Sequence, residues 1–386
     1  MSVVKEDSKL SSITETFLES GLDGLGRAVG MLINEAMLIE RDRHLQAAPY
    51  ERTDNRTGYA NGFKPKVLNT RIGALDLSIP QVREGNFYPS FLERGIRSER
   101  ALKISLAEMY IQGVSTRKVS SILEEMCGLE VTSSEVSRAA KLLDEEFEKW
   151  RTRSLGKYVY LILDARYEKV RQNSCVVDSA VLIAYGVDES GKRDVLGVSV
   201  SLSEAEVHWR KFLDSLVSRG FHGLSGITSD AHPGLKAAIK AVFPSVPWQR
   251  CQFHLQQNAQ SYVPKKSMKK EVAEDIRNIF NAPDRVEAER YLKIITEKYA
   301  PKAMELSKWM ENNIPEGFNV FNFKKNHQIK IRTSNMAERV NREIKRRTRV
   351  ASIFPSTSSC ERLVTGLLIE ISEKWATEKI YLSMTD

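Results

Sequence analysis

Three acidic residues in this 386-residue chain sit where a carboxylate needs a chemical reason. Asp164 ends the apolar run YVYLILD. A carboxylate set into such a strand costs several kcal/mol, roughly, unless it is paired or holds a cation. Arg166 or Arg171 could supply the pairing. Asp230 closes GLSGITSD just before His232-Pro233-Gly234, where an Asp is also ordinary turn chemistry. Taken together, Asp164 and Asp230 fall at the ends of two expected strands of one sheet. Such a pair can hold hard divalent cations through oxygen ligands.

A third acid comes from RTSNMAERVNREIKRRTR, where seven Lys/Arg stand against two Glu between Arg332 and Arg349. On a helical wheel Met336, Val340 and Ile344 make the buried stripe. Glu338 lies roughly opposite, with Asn341, Arg342, Lys345 and Arg349. An acid among bases on one face suggests metal ligation beside a phosphate-binding surface. Two plainer readings stand next to it: a capping box from Asn335 to Glu338, and an i,i+4 ion pair from Glu338 to Arg342. Glu343 is a weaker candidate, near Arg339 and Arg347. Cys251-x-x-His254 has no second pair at zinc-site spacing, so it reads as structural at the sheet edge. The run Lys265, Lys266, Lys269, Lys270 reads as a solvated face that could also track a phosphate backbone.

The elements that must hold these residues follow from the hydrophobic period. Leu22 to Gln46 reads as an amphipathic helix, and VLNTRIG with ALDLSIPQ as a hairpin around Gly73. A helical block runs from Glu99 to Trp150. Its segments GVSTRKVSSILEEMCG and TSSEVSRAAKLLDEEFEKW read as two helices, the second opened by a Thr132–Glu135 capping box and buried along Val136, Ala139, Ala140, Leu143, Phe147 and Trp150. Ser133, Ser137, Arg138 and Lys141 stay on its outer face. This is either a helix-turn-helix offering a helix end to a DNA groove, or two core helices of an all-α region. From Tyr158 the order becomes three strands, helix, strand, helix, strand, an α/β plan with a mixed sheet in the order of a ribonuclease-H-like fold. Ser261 to Ile314 reads as helix, and further helices begin near Thr333 and Cys360.

Composition narrows the class. Hydrophobic residues make up 41% and charged residues 28%, and Lys+Arg exceed Asp+Glu by 58 to 50, a net +8. Wholesale disorder is excluded. No apolar run reaches the roughly 18 residues of a membrane span, and the opening MSVVKEDSKL has no signal-peptide core. The four scattered cysteines argue against a disulfide framework. A cytoplasmic protein with reduced thiols is expected.

Asp164 in LILDARYEKVR, Asp230 in ITSDAHPG, QRCQFH at Gln249–His254 and Asn335-x-x-Glu338-Arg339-x-Asn341 together resemble the mutator-type transposases of bacterial insertion sequences. GYANG at Gly58–Gly62, MYIQGVSTRKV at Met109–Val119 and IFPS at Ile353–Ser356 extend the likeness over roughly Leu22 to Trp375. Ala60 departs from the pattern, which more often carries Arg there. The resemblance implies a DDE recombinase with Asp164, Asp230 and Glu338 as catalytic and metal-binding triad, separated by 65 and 107 residues. The long second gap matches a helical insertion, and Cys251 and His254 become active-site support.

It further implies two Mg²⁺ ions bridged by Asp164, with Mn²⁺ able to substitute. The reaction would be hydrolysis exposing a 3′-OH at the element end, then attack of that 3′-OH on DNA. The partners would be the terminal inverted repeats and target DNA, bound by a homodimer or higher oligomer, without a membrane, in the bacterial cytoplasm at the nucleoid. DNA contacts are expected from Ser133, Ser137, Arg138, Arg332, Asn335, Arg339, Asn341, Arg342, Lys345, Arg346 and Arg349. The expected layout is 1–98, an N-terminal helical and hairpin region for DNA binding; 99–152, a helix-turn-helix-like region; 153–260 with 325–386, the ribonuclease-H-like α/β core; and 261–324, an α-helical insertion. A structure-specific nuclease on the same fold and an inactive DNA-binding regulator are the alternatives.

Overall fold

Leu75, Leu77 and Ile79 alternate with Asp76 and Ser78, and that period of two builds a hairpin with one apolar face. In the computed structural model β1 (Ala60–Thr70) pairs antiparallel with β2 (Gly73–Val82). Gly73 takes φ +108 at the turn, a backbone that L side chains rarely adopt. The three apolar side chains pack on Met37, Val29 and Ile33 of the helix Leu25–Leu45. Asn34 of that helix accepts from Ser78 N (2.8 Å) and donates to Asp76 O (3.2 Å). The structure describes residues 3–83, 87–90, 92, 98–112 and 114–384, so Gly113 of MYIQGVSTRKV lies outside the described residues. The chain divides into two units, 1–143 and 144–386.

The first unit also holds the helices Arg100–Ile111, Thr116–Cys127 and Ser133–Ala140 around Leu102, Leu106, Val119, Leu123, Val136 and Ala139. Ser115 caps the second by accepting from Lys118 N, and Gly128 ends it at φ +63. The expected Thr132–Glu135 capping box opens the third. The single helix expected from there to Trp150 is corrected. A 3₁₀ turn at Lys141–Leu143 interrupts it, and a new helix runs over Asp144–Thr152. Asp144, Glu145 and Glu146 gather in the first turn of that new helix, where its dipole favours acids. Arg362 grips both Asp144 carboxylate oxygens, one at 2.8 Å.

In the second unit β3 (Tyr158–Gln172), β4 (Cys175–Asp188), β5 (Arg193–Ser201), β6 (Gly226–Ser229) and β7 (Trp248–Arg250) form one sheet in the order β5-β4-β3-β6-β7. β3–β4 and β4–β5 are antiparallel; β3–β6 and β6–β7 are parallel. The mixed sheet and the order of strands and helices are as expected, with helices Glu206–Ser218 and Pro233–Val242 as connections. Leu161, Leu163, Leu182 and Leu196 bury one face against Trp209, Phe212, Leu213 and Leu235. Each such side chain contributes about 1.5–3 kcal/mol.

β3 runs eight residues past Asp164, which therefore lies within the strand rather than at its end. Helices Lys269–Phe280, Arg285–Tyr299 and Met304–Asn313 build a separate apolar core. The last helix spans Thr357–Thr377, opening three residues before the expected start near Cys360. Beyond it, Tyr381 N and Leu382 N both donate to Gly191 O at 2.9 and 3.0 Å. Among the described residues no helix is long and apolar enough to cross a membrane.

Candidate active site

Pairing between β3 and β6 sets Ile162 opposite Thr228, and both acids lie two residues further along their strands. Asp164, within β3, and Asp230, just past the end of β6, therefore lie side by side on two adjacent parallel strands. Asp230 opens a turn, its Oδ1 accepting from His232 N at 3.2 Å. Pro233 starts the next helix in its first turn. Gly234 lets the 204–206 backbone pass, since a Cβ there would lie 2.2 Å from Glu204 O. The sequence Asp-Ala-His-Pro-Gly is thus explained as a packed turn that fixes Asp230.

Asp164, Arg166 and Glu168 share one face of β3 by the strand period, and the helix Asn335–Ala351 lies across it. Asn341 Nδ2 donates to Asp164 Oδ2 (2.7 Å), Arg166 Nη1 donates to Asn341 O, and Thr348 Oγ1 donates to Glu168 Oε1 (3.0 Å). Arg166 also pairs with Glu168, so it does not neutralise Asp164. Asp164 is 8% exposed. Burial pushes its carboxyl up, His254 opposes this, and the charges of Asp230 and Glu338 add to the rise.

Neither plain reading of Glu338 holds among the described residues. Ser334, not Asn335, precedes the helix and makes no side-chain cap, and Glu338 forms no ion pair with Arg342. Its Oε1 is buried without a hydrogen-bond partner, as is Asn341 Oδ1 one turn on.

Cys251 and His254 join the same cluster from the start of the helix Gln252–Ala259. Cys251 Sγ accepts from Ser334 N and Ser334 Oγ, both at 3.3 Å, tying β7 to the entry of the helix carrying Glu338. Burial would raise the Cys251 thiol, but the adjoining His254 and Ser334 outweigh it and hold it low. Contact with Cys251 comes first in raising His254 to about 9; burial opposes, and the charges of Asp164 and Asp230 assist. The His254 imidazole thus lies within electrostatic reach of the two aspartates. Glu204, which sequence reasoning missed, is buried beside this group; burial raises its carboxyl, His232 opposes and Asp230 adds. Its setting in the polar loop SLSEAE carries no signal of burial.

The basic residues divide by what they touch. Arg332 Nη1 donates to Asn281 Oδ1 (2.9 Å) and Phe280 O (3.3 Å), closing the end of a neighbouring helix. Arg346 pairs with Glu343, which also accepts from Arg347 Nε at 3.1 Å. Asn335, Arg339, Arg342, Lys345 and Arg349 are exposed, and the last three have no carboxylate partner among the described residues. Ser133, Ser137 and Arg138 are exposed on their helix in the first unit.

Glu343 therefore reads as structural. Arg346 above all, with Arg347, holds its carboxyl down at about 2, with burial opposing. The folded value lies below the ordinary 4.5, so the stabilisation is present above pH 4.5 and fades as pH falls towards 2. Glu343→Gln is expected to leave DNA cleavage at the native rate. It should lower stability by about 1 kcal/mol at neutral pH, since the exposed pair with Arg346 is worth little while the buried Arg347 loses a carboxylate partner. Melting curves of both proteins should converge as pH drops through that window.

A divalent ion fits the donor chemistry. Asp164, Asp230 and Glu338 offer hard oxygens, and the two orphaned buried oxygens on Glu338 and Asn341 lack any other partner. Among the described residues no group of three or more His, Cys, Asp or Glu side chains is placed to hold a metal ion, so an ion here would need other ligands such as waters and substrate phosphates.

The family model described as "Transposase, Mutator family" matches residues 1–378. The chain is 53% identical over 385 residues to the transposase for insertion sequence element IS406 of Burkholderia multivorans, covering 99% of each chain. It is 41% identical to the transposase for ISRM5 of Rhizobium meliloti, covering 99% of this chain and 96% of that one. It is 35% identical to the transposase for IS256 in transposon Tn4001 of Staphylococcus aureus, covering 89% of each. The chain belongs to the mutator family of transposases.

Proposed function

We propose that this transposase is a DDE enzyme on a ribonuclease-H-like core, cutting at the ends of its element and joining the freed 3′-OH to target DNA. The observation that best supports the reading is the equal offset of Asp164 and Asp230 on adjacent parallel strands, beside a buried Glu338 Oε1 that has no hydrogen-bond partner. Those three residues would hold two Mg²⁺ ions, which Mn²⁺ can replace. When bound, the ions supply charge stabilisation at the scissile phosphate and an activated oxygen nucleophile. The protein's own groups do the rest. Asn341 fixes the Asp164 carboxylate, and His254, whose imidazole is raised first by contact with Cys251 and then by the two aspartates, favours negative charge there. Arg342, Lys345 and Arg349 take DNA phosphates beside the acids, positioning the strand without reading its sequence.

End recognition falls to the first 152 residues, where Ser133, Ser137 and Arg138 present a capped helix start to a groove. Residues 261–324 form the insertion of the core, 153–260 with 325–386. A homodimer or larger assembly on DNA, in the bacterial cytoplasm at the nucleoid, completes the reading. The test is incubation with element-end DNA and Mg²⁺, scoring 3′-end cleavage and strand joining separately. Both products are expected. Cutting without joining would favour a nuclease, and binding with neither a regulator.

A further inference from the structure

We propose that Asn341 is a fourth ion-binding residue of the site, its side-chain oxygen ligating the divalent cation while its amide nitrogen holds Asp164. The inference rests on the ion-dependent reading above and adds a neutral ligand to it. Asn341 Nδ2 donates to Asp164 Oδ2 at 2.7 Å, the orientation an ion-bound, acceptor-only carboxylate requires. That orientation commits Oδ1 to the other side. There it is buried and has no hydrogen-bond partner, in a region where Glu338 Oε1 is buried and unpartnered too. Leaving a buried acceptor unmade is unfavourable, by about 1–3 kcal/mol.

The two residues are three apart on one helix, so they project from successive turns. Arg166 donates to the Asn341 backbone oxygen, fixing that turn against β3. An amide oxygen is a hard ligand suited to Mg²⁺ or Mn²⁺. A residue placed only to meet DNA would present its side chain outward, as Arg342 and Lys345 do.

The test measures Mn²⁺ binding to the full-length, DNA-free protein by calorimetry, with melting temperature as a check on folding. Asn341→Leu keeps the volume and removes both polar atoms; it is expected to weaken Mn²⁺ binding about tenfold or more. Asn341→Asp retains an oxygen where Oδ1 stands; it is expected to bind Mn²⁺ at least as tightly as the native protein. Native affinity in Asn341→Leu would overturn the proposal. So would equal weakening in both variants, which would leave Asn341 as a support for Asp164 alone. Asp164→Asn separates this from the parent reading. If it binds Mn²⁺ as the native protein does, the ion site itself is misassigned; if it loses binding while Asn341→Leu does not, only the present inference fails.

Discussion

Asp164→Asn and Glu338→Gln are each expected to slow element-end cleavage by about a thousandfold or more while the protein folds and binds DNA. Each change removes a charged ion ligand and nearly preserves shape. Ion charge at the scissile phosphate contributes several kcal/mol to the transition state, and about 1.4 kcal/mol is a factor of ten in rate. Binding should persist because retention of DNA is assigned to exposed cations outside the acid cluster.

Stability should move the other way for Asp164. Its carboxyl is pushed up by burial and by Asp230 and Glu338, against His254. The ion-free fold therefore carries an unfavourable charge at neutral pH, absent below the ordinary value of 3.8 where the group is protonated in both states. Asp164→Asn should melt no lower than the ion-free native protein at pH 8, with its advantage vanishing as pH falls to about 3.8. A sharp fall in melting temperature with both activities lost would make Asp164 a folding residue instead.

The second large effect is expected from the double variant Arg342→Ala, Lys345→Ala. Both side chains are exposed on the helix that carries Glu338 and have no carboxylate partner among the described residues. Each lost phosphate contact should flatten the log–log salt dependence by about 0.9, equally on element-end and random duplex. Cleavage should fall further than binding, by about a hundredfold, because a misplaced scissile phosphate loses alignment with its nucleophile. The melting temperature should stay near native. An unchanged salt slope with a normal rate would make this an ordinary solvated helix face.

What the sequence displayed was periodicity and misplaced charge. Apolar, β-branched runs separated by turn residues announced the core strands and their order, and Asp164 stood out because a carboxylate in such a run demands a partner. The Thr132–Glu135 box was legible because both of its hydrogen bonds are local. What depends on residues distant in the chain was hidden. The break at Lys141–Leu143 goes with Arg362 meeting Asp144 from more than two hundred residues away. Asn341 sits among arginines and looks like one more polar surface residue, yet it turns to Asp164. Arg332 and Arg346 look like the other bases, but both are engaged within the fold. Their neighbours Arg342 and Lys345 are not, and only packing tells them apart.

The most direct measurement replaces Asp164 by a softer ligand. Asp164→Cys should cut element-end DNA at a background rate in Mg²⁺ and recover activity in Mn²⁺, since thiolate disfavours Mg²⁺ and accepts softer ions. Native protein measured alongside should cut in both. Native-rate cleavage by Asp164→Cys in Mg²⁺ would contradict direct ligation by Asp164, and with it the assignment of Asp164, Asp230 and Glu338 as the catalytic set.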